Sequence, residues 1–128
     1  MSTRPLRLYL AGPMTGLPDH NVPVFHAATA ELRAAGYEVT SPAELNVSEP
    51  IADPDKPGAW GRYMRRDIPH LLKCDAVALL PGWLMSEGAN LEVIVAKRVH
   101  MQCLDVEQWL MFAKSAAQGP AAFDEVPA

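Results

Sequence analysis

After Asp75 the chain reads Ala76-Val77-Ala78-Leu79-Leu80, apolar at every position, and then stops at Pro81-Gly82. No other stretch constrains the fold as much. A strand with one wet face alternates polar and apolar residues, whereas a run that is apolar throughout is covered on both faces, as the inner strands of parallel sheets are. Parallel neighbours in turn need crossover connections, usually helices.

The flanking sequence supplies both. Leu6-Arg7-Leu8-Tyr9-Leu10-Ala11 reads as a first strand, largely apolar and therefore central, ended by Gly12-Pro13. Gly12 to Asp19 has the composition of a loop with fixed turns and close backbone approach. A helix is expected from about Val22 to Ala35, with Phe25, Ala28, Leu32 and Ala35 on one face and Gly36 as its stop. Tyr37-Glu38-Val39 is a short second strand. Ser41 to Gly58, rich in proline and acids and without sustained period, reads as an irregular surface excursion. Trp60 to Lys73 is helical in pattern, with Trp60, Met64, Leu71 and Leu72 as apolar contacts, and Pro69, which lacks an amide donor, is expected to kink or restart it. Ser86 is an N-cap for a helix reaching about Val99; Met101 to Leu104 can be a fourth strand, and a last helix runs from about Val106 to Lys114. Strands alternating with helices give a three-layer α/β sandwich of the flavodoxin/Rossmann-like kind, with a small parallel sheet of four to five strands. The domain is expected over residues 1–114, followed by a loose or subunit-contacting tail over 115–128.

The 128 residues, 49% of them hydrophobic, suit one domain that buries roughly two-thirds of its unfolded surface. A net charge of −4 argues against a long nucleic acid as partner, although Arg62, Arg65 and Arg66 form a small basic group. The two cysteines, Cys74 and Cys103, lie in apolar surroundings and read as buried thiols rather than a disulfide framework. No segment has the length and apolarity of a signal peptide or a bilayer span, so a cytoplasmic protein without membrane contact is expected. The four histidines show no metal-ligand spacing, and neither metal nor cofactor is expected.

Ligands in such folds bind at the carboxyl ends of the strands. The Gly12 to Gly16 loop and the Pro81 to Gly88 segment should therefore line one crevice. Glu92 falls within the apolar stripe Ala89, Val93, Ala96 of the helix that starts there. A solvated glutamate is one reading; the other is a carboxylate nucleophile or general base, since an unpaired buried charge is costly. Asp67, beside Pro69, is either an N-cap for the restarted helix or a proton donor to a leaving group. Tyr9 is core or, through its phenol, an orienting partner for a carboxylate. Ser86 and Gly88 form a plain helix start or an anion site. Trp83 either stacks on a ring or packs at the rim. Asp75 lies at the amino end of its strand, away from ligands, and is read as structural.

Together, Leu8-Tyr9-Leu10-Ala11-Gly12-Pro13-Met14-Thr15-Gly16, Tyr63-Met64-Arg65-Arg66-Asp67-Ile68, Cys74-Asp75-Ala76-Val77 and Ser86-Glu87-Gly88-Ala89-Asn90-Leu91-Glu92 resemble the nucleoside 2-deoxyribosyltransferase-like superfamily, and within it the branch called DUF4406, over about Leu6 to Leu104. The resemblance implies chemistry at an N-glycosidic bond. Glu92 matches the nucleophile that attacks the anomeric carbon, Asp67 the acid on the side of the departing base, and Tyr9 the tyrosine that holds the nucleophile. Gly12, Met14, Ser86, Gly88 and Asn90 are implied as substrate contacts. Ser86 falls where transferases of free nucleosides tend to carry an aspartate and monophosphate hydrolases a serine that touches phosphate, which tilts the expectation toward a nucleotide. The loop after the first strand lacks the arginine of those hydrolases, leaving Arg65 or Arg66 to substitute. Homo-oligomers that complete the site from a neighbouring subunit are implied as well. Three functions follow as expectations: cleavage or transfer of the N-glycosidic bond of a (deoxy)nucleoside or its 5′-monophosphate, the same cleavage on a ribonucleotide such as CMP, or a nucleotide-binding or sensing module without turnover.

Overall fold

The computed structural model describes residues 4–118. Strands β1 (Arg7–Ala11), β2 (Glu38–Thr40), β3 (Ala76–Leu79) and β4 (Gln102–Asp105) form one all-parallel sheet in the order β2-β1-β3-β4. The two apolar runs are its inner strands, paired Leu8 to Ala76 through Ala11 to Leu79. Both need cover on two faces and both receive it. Helices α1 (Val22–Ala34) and α5 (Val106–Gln118) cover one face, and α3 (Ala59–Leu72) and α4 (Glu87–Arg98) the other. This is the three-layer α/β sandwich expected, with four strands. Among the described residues no helix is long and apolar enough to cross a membrane.

Strand alternation divides the core in two. Leu8, Leu10, Ala76, Ala78 and Leu80 pack with Phe25, Ala28, Leu32, Val106 and Trp109 on the α1/α5 side. Tyr9, Ala11, Val77 and Leu79 pack with Leu71, Ala89, Val93 and Ala96 on the α3/α4 side. Trp109 adds a specific tie, its indole Nε1 donating to the Val77 carbonyl at 2.9 Å.

Several expectations need correction. Residues 41–58 are not irregular throughout, since Pro42–Ser48 forms a helix, α2, capped by Ser41, whose Oγ accepts from the Ala43 amide at 3.2 Å. Proline at the first helical position removes a donor that has no partner there anyway, so it starts this helix rather than opposing it. Helix α3 runs through Pro69 without restarting. Asp67 and Leu71, on either side of that proline, are both buried. Pro69 itself and Arg65, whose carbonyl loses its partner, lie on the exposed side where water can stand in. Asp67 is therefore a mid-helix residue and not an N-cap. Trp60 and Leu72 are half exposed, and Ala35 lies just beyond the end of α1, exposed. The two thiols are only partly buried. Helix α5 continues past Lys114 to Gln118, so the start of the supposed tail is helical; residues 119–128 lie outside the described residues.

Candidate active site

The chain passes from β1 outward to β2, then back over β1 to β3, so the sheet's connections reverse between the carboxyl ends of β1 and β3. Side chains just below that point come from β1, α3 and α4. Tyr9 points to the α3/α4 side and is wholly buried. On α4 the buried residues are Ala89, Glu92, Val93 and Ala96, a single stripe at spacings of three and four, which carries Glu92 into the interior with 3% exposure. There the Tyr9 hydroxyl donates to Glu92 Oε2 at 2.5 Å. Asp67 of α3, 4% exposed, is the other buried acid among the described residues, and its Oδ1 accepts from Arg66 Nε at 2.7 Å.

These surroundings set the charge states. Burial pushes the Glu92 carboxyl from an ordinary 4.5 up to about 8; the charge of Asp67 adds to the rise, while the Tyr9 hydrogen bond and Arg66 oppose it. Burial also raises Asp67, against the pull of its Arg66 partner. The Tyr9 phenol goes well above its usual range, first through burial and then through the two acids. Glu92 is thus bonded to a neutral phenol and Asp67 to a cation. At neutral pH Glu92, raised to about 8, is mostly protonated. Asp75 gives the contrast: two hydrogen bonds from Arg4, at 2.7 and 2.8 Å, and one from the Arg7 amide hold it down at about 2. It sits at the amino end of β3 and ties the N-terminal segment down, a structural role.

The two loops touch where they leave β1 and β3, although neither concavity described below is lined by residues of both. Leu80 donates its amide to the Ala11 carbonyl, and a Cβ on Gly12 would lie 2.7 Å from the Leu80 Cβ, too close for any side chain. Gly82, at φ +84°, has Pro13 against it. The proposed substrate contacts on these loops are already engaged within the subunit. Ser86 Oγ accepts from the Ala89 amide at 3.1 Å as an N-cap. Asn90 donates to the Leu84 carbonyl at 2.8 Å and the Ser86 carbonyl at 2.7 Å, which pins the β3–α4 loop. Gly88 makes room for α3, since a Cβ there would stand 3.1 Å from Met64 Cε. Met14 packs, partly buried, against the α1/α5 side of the core. Trp83 packs against the other side and lines an open concavity of about 460 Å³ with Pro81, Gly82, Asp105 and Glu107. A second concavity of about 420 Å³ is lined by Trp60, Leu84, Met85, Leu91 and Ile94. Neither of these two is lined by Tyr9, Asp67 or Glu92, which are buried in the single subunit.

Sequence reasoning missed what α2 contributes. Asn46 of α2 accepts from Arg66 Nη1 at 2.8 Å, and the Glu49 carbonyl lies 3.4 Å from the same nitrogen. Arg66 is therefore turned inward and not presented to a phosphate. Arg62 is likewise occupied, donating to the carbonyls of Ala52, Asp53, Lys56 and Pro57. Of the three arginines only Arg65 is exposed. Ser41-Pro42-Ala43-Glu44, a hydroxyl cap followed three residues later by an acid, was the available signal for α2.

No curated protein matches the chain. A family model described as a domain of unknown function (DUF4406) matches residues 6–105, from the start of β1 to the end of β4, and so takes in Tyr9, Asp67, Ser86 and Glu92. The chain therefore belongs to the DUF4406 family.

Proposed function

We propose that this protein cleaves or transfers the N-glycosidic bond of a (deoxy)nucleoside or nucleoside 5′-monophosphate, with Glu92 as nucleophile. The observation that carries the reading is the buried Tyr9–Glu92 hydrogen bond beside a second buried acid, Asp67, at the point where the sheet's connections reverse. Two acids that share one proton hold what a retaining displacement needs. Glu92 passes its proton to Asp67 and attacks C1′; the C1′–O bond forms as the C1′–N bond breaks, the electron pair leaves with the base, and Asp67 protonates that base. Water then attacks C1′, Asp67 accepts its proton, and the Glu92 carboxylate leaves. In transfer, a second base takes the place of water. Either way the pair ends with the single proton it began with.

The resemblance to nucleoside 2-deoxyribosyltransferase-like proteins supports the same assignment, on the same three residues. A cytoplasmic homo-oligomer acting on small nucleosides, without cofactor, goes with this reading. The inward turn of Arg66 leaves Arg65, or a residue from a second copy, to meet a phosphate. A second reading, a nucleotide-binding or sensing module without turnover, is favoured by one observation: both acids are almost wholly covered in the single subunit.

Incubation with deoxynucleosides, ribonucleosides and their 5′-monophosphates, each with and without a second free base, separates these readings. Base release supports a hydrolase, base exchange a transferase, and activity on CMP-type substrates tolerance of the 2′-hydroxyl. Nucleotide binding with no product in any arm, undiminished in Glu92→Ala, would overturn the catalytic reading in favour of the module.

A further inference from the structure

Residues 66 and 67 are neighbours on one helix, and side chains one position apart do not normally face each other. Arg66 reaches Asp67 because it is held around the helix. Its side chain is 8% exposed; Nε donates to Asp67 Oδ1 at 2.7 Å, Nη1 donates to Asn46 Oδ1 at 2.8 Å, and the guanidinium carbon lies 5.2 Å from the centre of the Tyr63 ring. The Glu49 carbonyl, 3.4 Å from Nη1, adds a weaker contact. Helix α2, the loop after it and the first half of α3 thus converge on one buried cation. Such a pair adds little net stability over well-packed apolar residues. What it does supply is a fixed charge beside one of two buried acids.

We propose that Arg66 is a positioning residue of the carboxyl pair: braced by Asn46, Glu49 and Tyr63, it fixes the orientation of Asp67 and makes Asp67, not Glu92, the resting home of the pair's negative charge. The consequence for catalysis rests on the function proposed above; the charge assignment does not. The other groups with influence on the pair are Tyr9 from β1, His70 from α3 and Glu49 from the α2–α3 loop. None of them places a positive charge in hydrogen-bond contact with Asp67 as Arg66 does. Substrate that disturbs the Arg66–Asp67 contact would let the proton cross from Glu92 to Asp67, which makes nucleophile and acid in a single transfer.

The test is a titration of carboxyl carbons by NMR in protein labelled with [¹³C]Asp, with the Asp67 signal assigned from its loss in Asp67→Asn. In Arg66→Gln the Asp67 midpoint should move upward by about one pH unit or more, a tenfold change in its proton affinity. Arg66→Lys, which keeps a charge but loses the planar fork, should recover part of that shift. Where base release is measurable, kcat should fall about tenfold or more in Arg66→Gln while KM changes less than about twofold. An Asp67 midpoint that stays in place in folded Arg66→Gln protein overturns the inference. Should that variant not fold, Asn46→Ala, which removes one brace only, decides: an upward midpoint supports the proposal and an unmoved one overturns it. The titration needs no turnover, so an inactive wild type would remove the glycosidase reading and leave this test intact.

Discussion

The two faces of the sheet are built from the same strands and put to different uses. On the α1/α5 side β1 contributes Leu8 and Leu10 to a cluster that includes Phe25, Leu32 and Trp109, and ordinary packing explains it. On the α3/α4 side the same strand contributes Tyr9 to a group that contains two acids and an arginine, all buried or nearly so. Burying ionisable groups works against folding, and the rise of Glu92 to about 8 is the mark of that cost. One face stabilises the domain, and the other draws on that stability. Nothing in packing alone calls for an acid at position 92, within the buried stripe Ala89, Val93 and Ala96. The contrast between the faces therefore points to the α3/α4 side as the one kept for chemistry.

The sharpest way to break this contrast is Glu92→Gln. The amide is nearly the same shape as the protonated acid but cannot ionise, so the melting temperature should hardly move near pH 4 and should rise at pH 7, while base release should drop about 10³-fold or more because the nucleophile is gone. An activity assay alongside a thermal melt reads both. Leu10→Ala on the other face should do the reverse: a loss of about 2–5 kcal/mol in denaturant titration, with activity per folded molecule unchanged. If Leu10→Ala were stable and inactive, the division of labour between the faces would be wrong.

The pH dependence of stability gives a third, somewhat smaller effect. A carboxyl that titrates at 4.5 unfolded and about 8 folded binds more protons in the native state between those values. Stability should therefore fall as pH rises from about 4.5 to about 8 and level off above, by up to a few kcal/mol in total. Asp75 acts in the opposite sense and at lower pH, its contribution fading as the solution is acidified toward about 2. Denaturant titrations from pH 4 to 9 should show the decline in the wild type and a much flatter curve in Glu92→Gln. An equal slope in both proteins would mean that Glu92 is not the raised acid.

How far the two faces could be read from the sequence differs in the same way. The apolar runs at Leu8–Ala11 and Ala76–Leu80, alternating with helical patterns, point to inner strands of a parallel sheet, because such strands are covered on both faces. Ser86 and Gly36 mark their helix ends by local chemistry, a hydroxyl cap and a left-handed stop, which need no distant partner. The spacing of Ala89, Glu92 and Val93 put the acid on the inner stripe. Its bond to Tyr9, however, joins residues 83 positions apart and follows only from the pairing of β1 with β3 beneath α4. The inward turn of Arg66 was less legible still. It depends on α2, which the prolines of the segment concealed, and on a contact with Asn46 twenty residues away. Pro69 misled for a related reason, since a local rule about helix breaking was outweighed by tertiary packing of Asp67 and Leu71.

The smallest effects make the most direct comparison, because the same edit can be made on both faces: deletion of one buried hydroxyl. On the α1/α5 side Thr29 of α1 is buried, and among the described residues its Oγ1 is the buried side-chain N or O atom that lacks a hydrogen-bond partner. An unpaired buried hydroxyl has lost its water and received nothing for it, so Thr29→Val, equal in shape and similar in helix propensity, should stabilise the protein by about 0.5–1 kcal/mol. On the α3/α4 side the Tyr9 hydroxyl is bonded to Glu92 at 2.5 Å. Tyr9→Phe leaves a buried carboxyl without that partner and should destabilise by about 1–2 kcal/mol at neutral pH. Because the Tyr9 bond lowers the Glu92 value, the same change should also move the Glu92 titration further upward. Denaturant curves of the two variants, compared with the wild type under one buffer, should thus shift in opposite directions. A shared sign would mean that the hydroxyls differ in position but not in role, and that Tyr9 is a core residue whose contact with Glu92 does no more than satisfy a polar group.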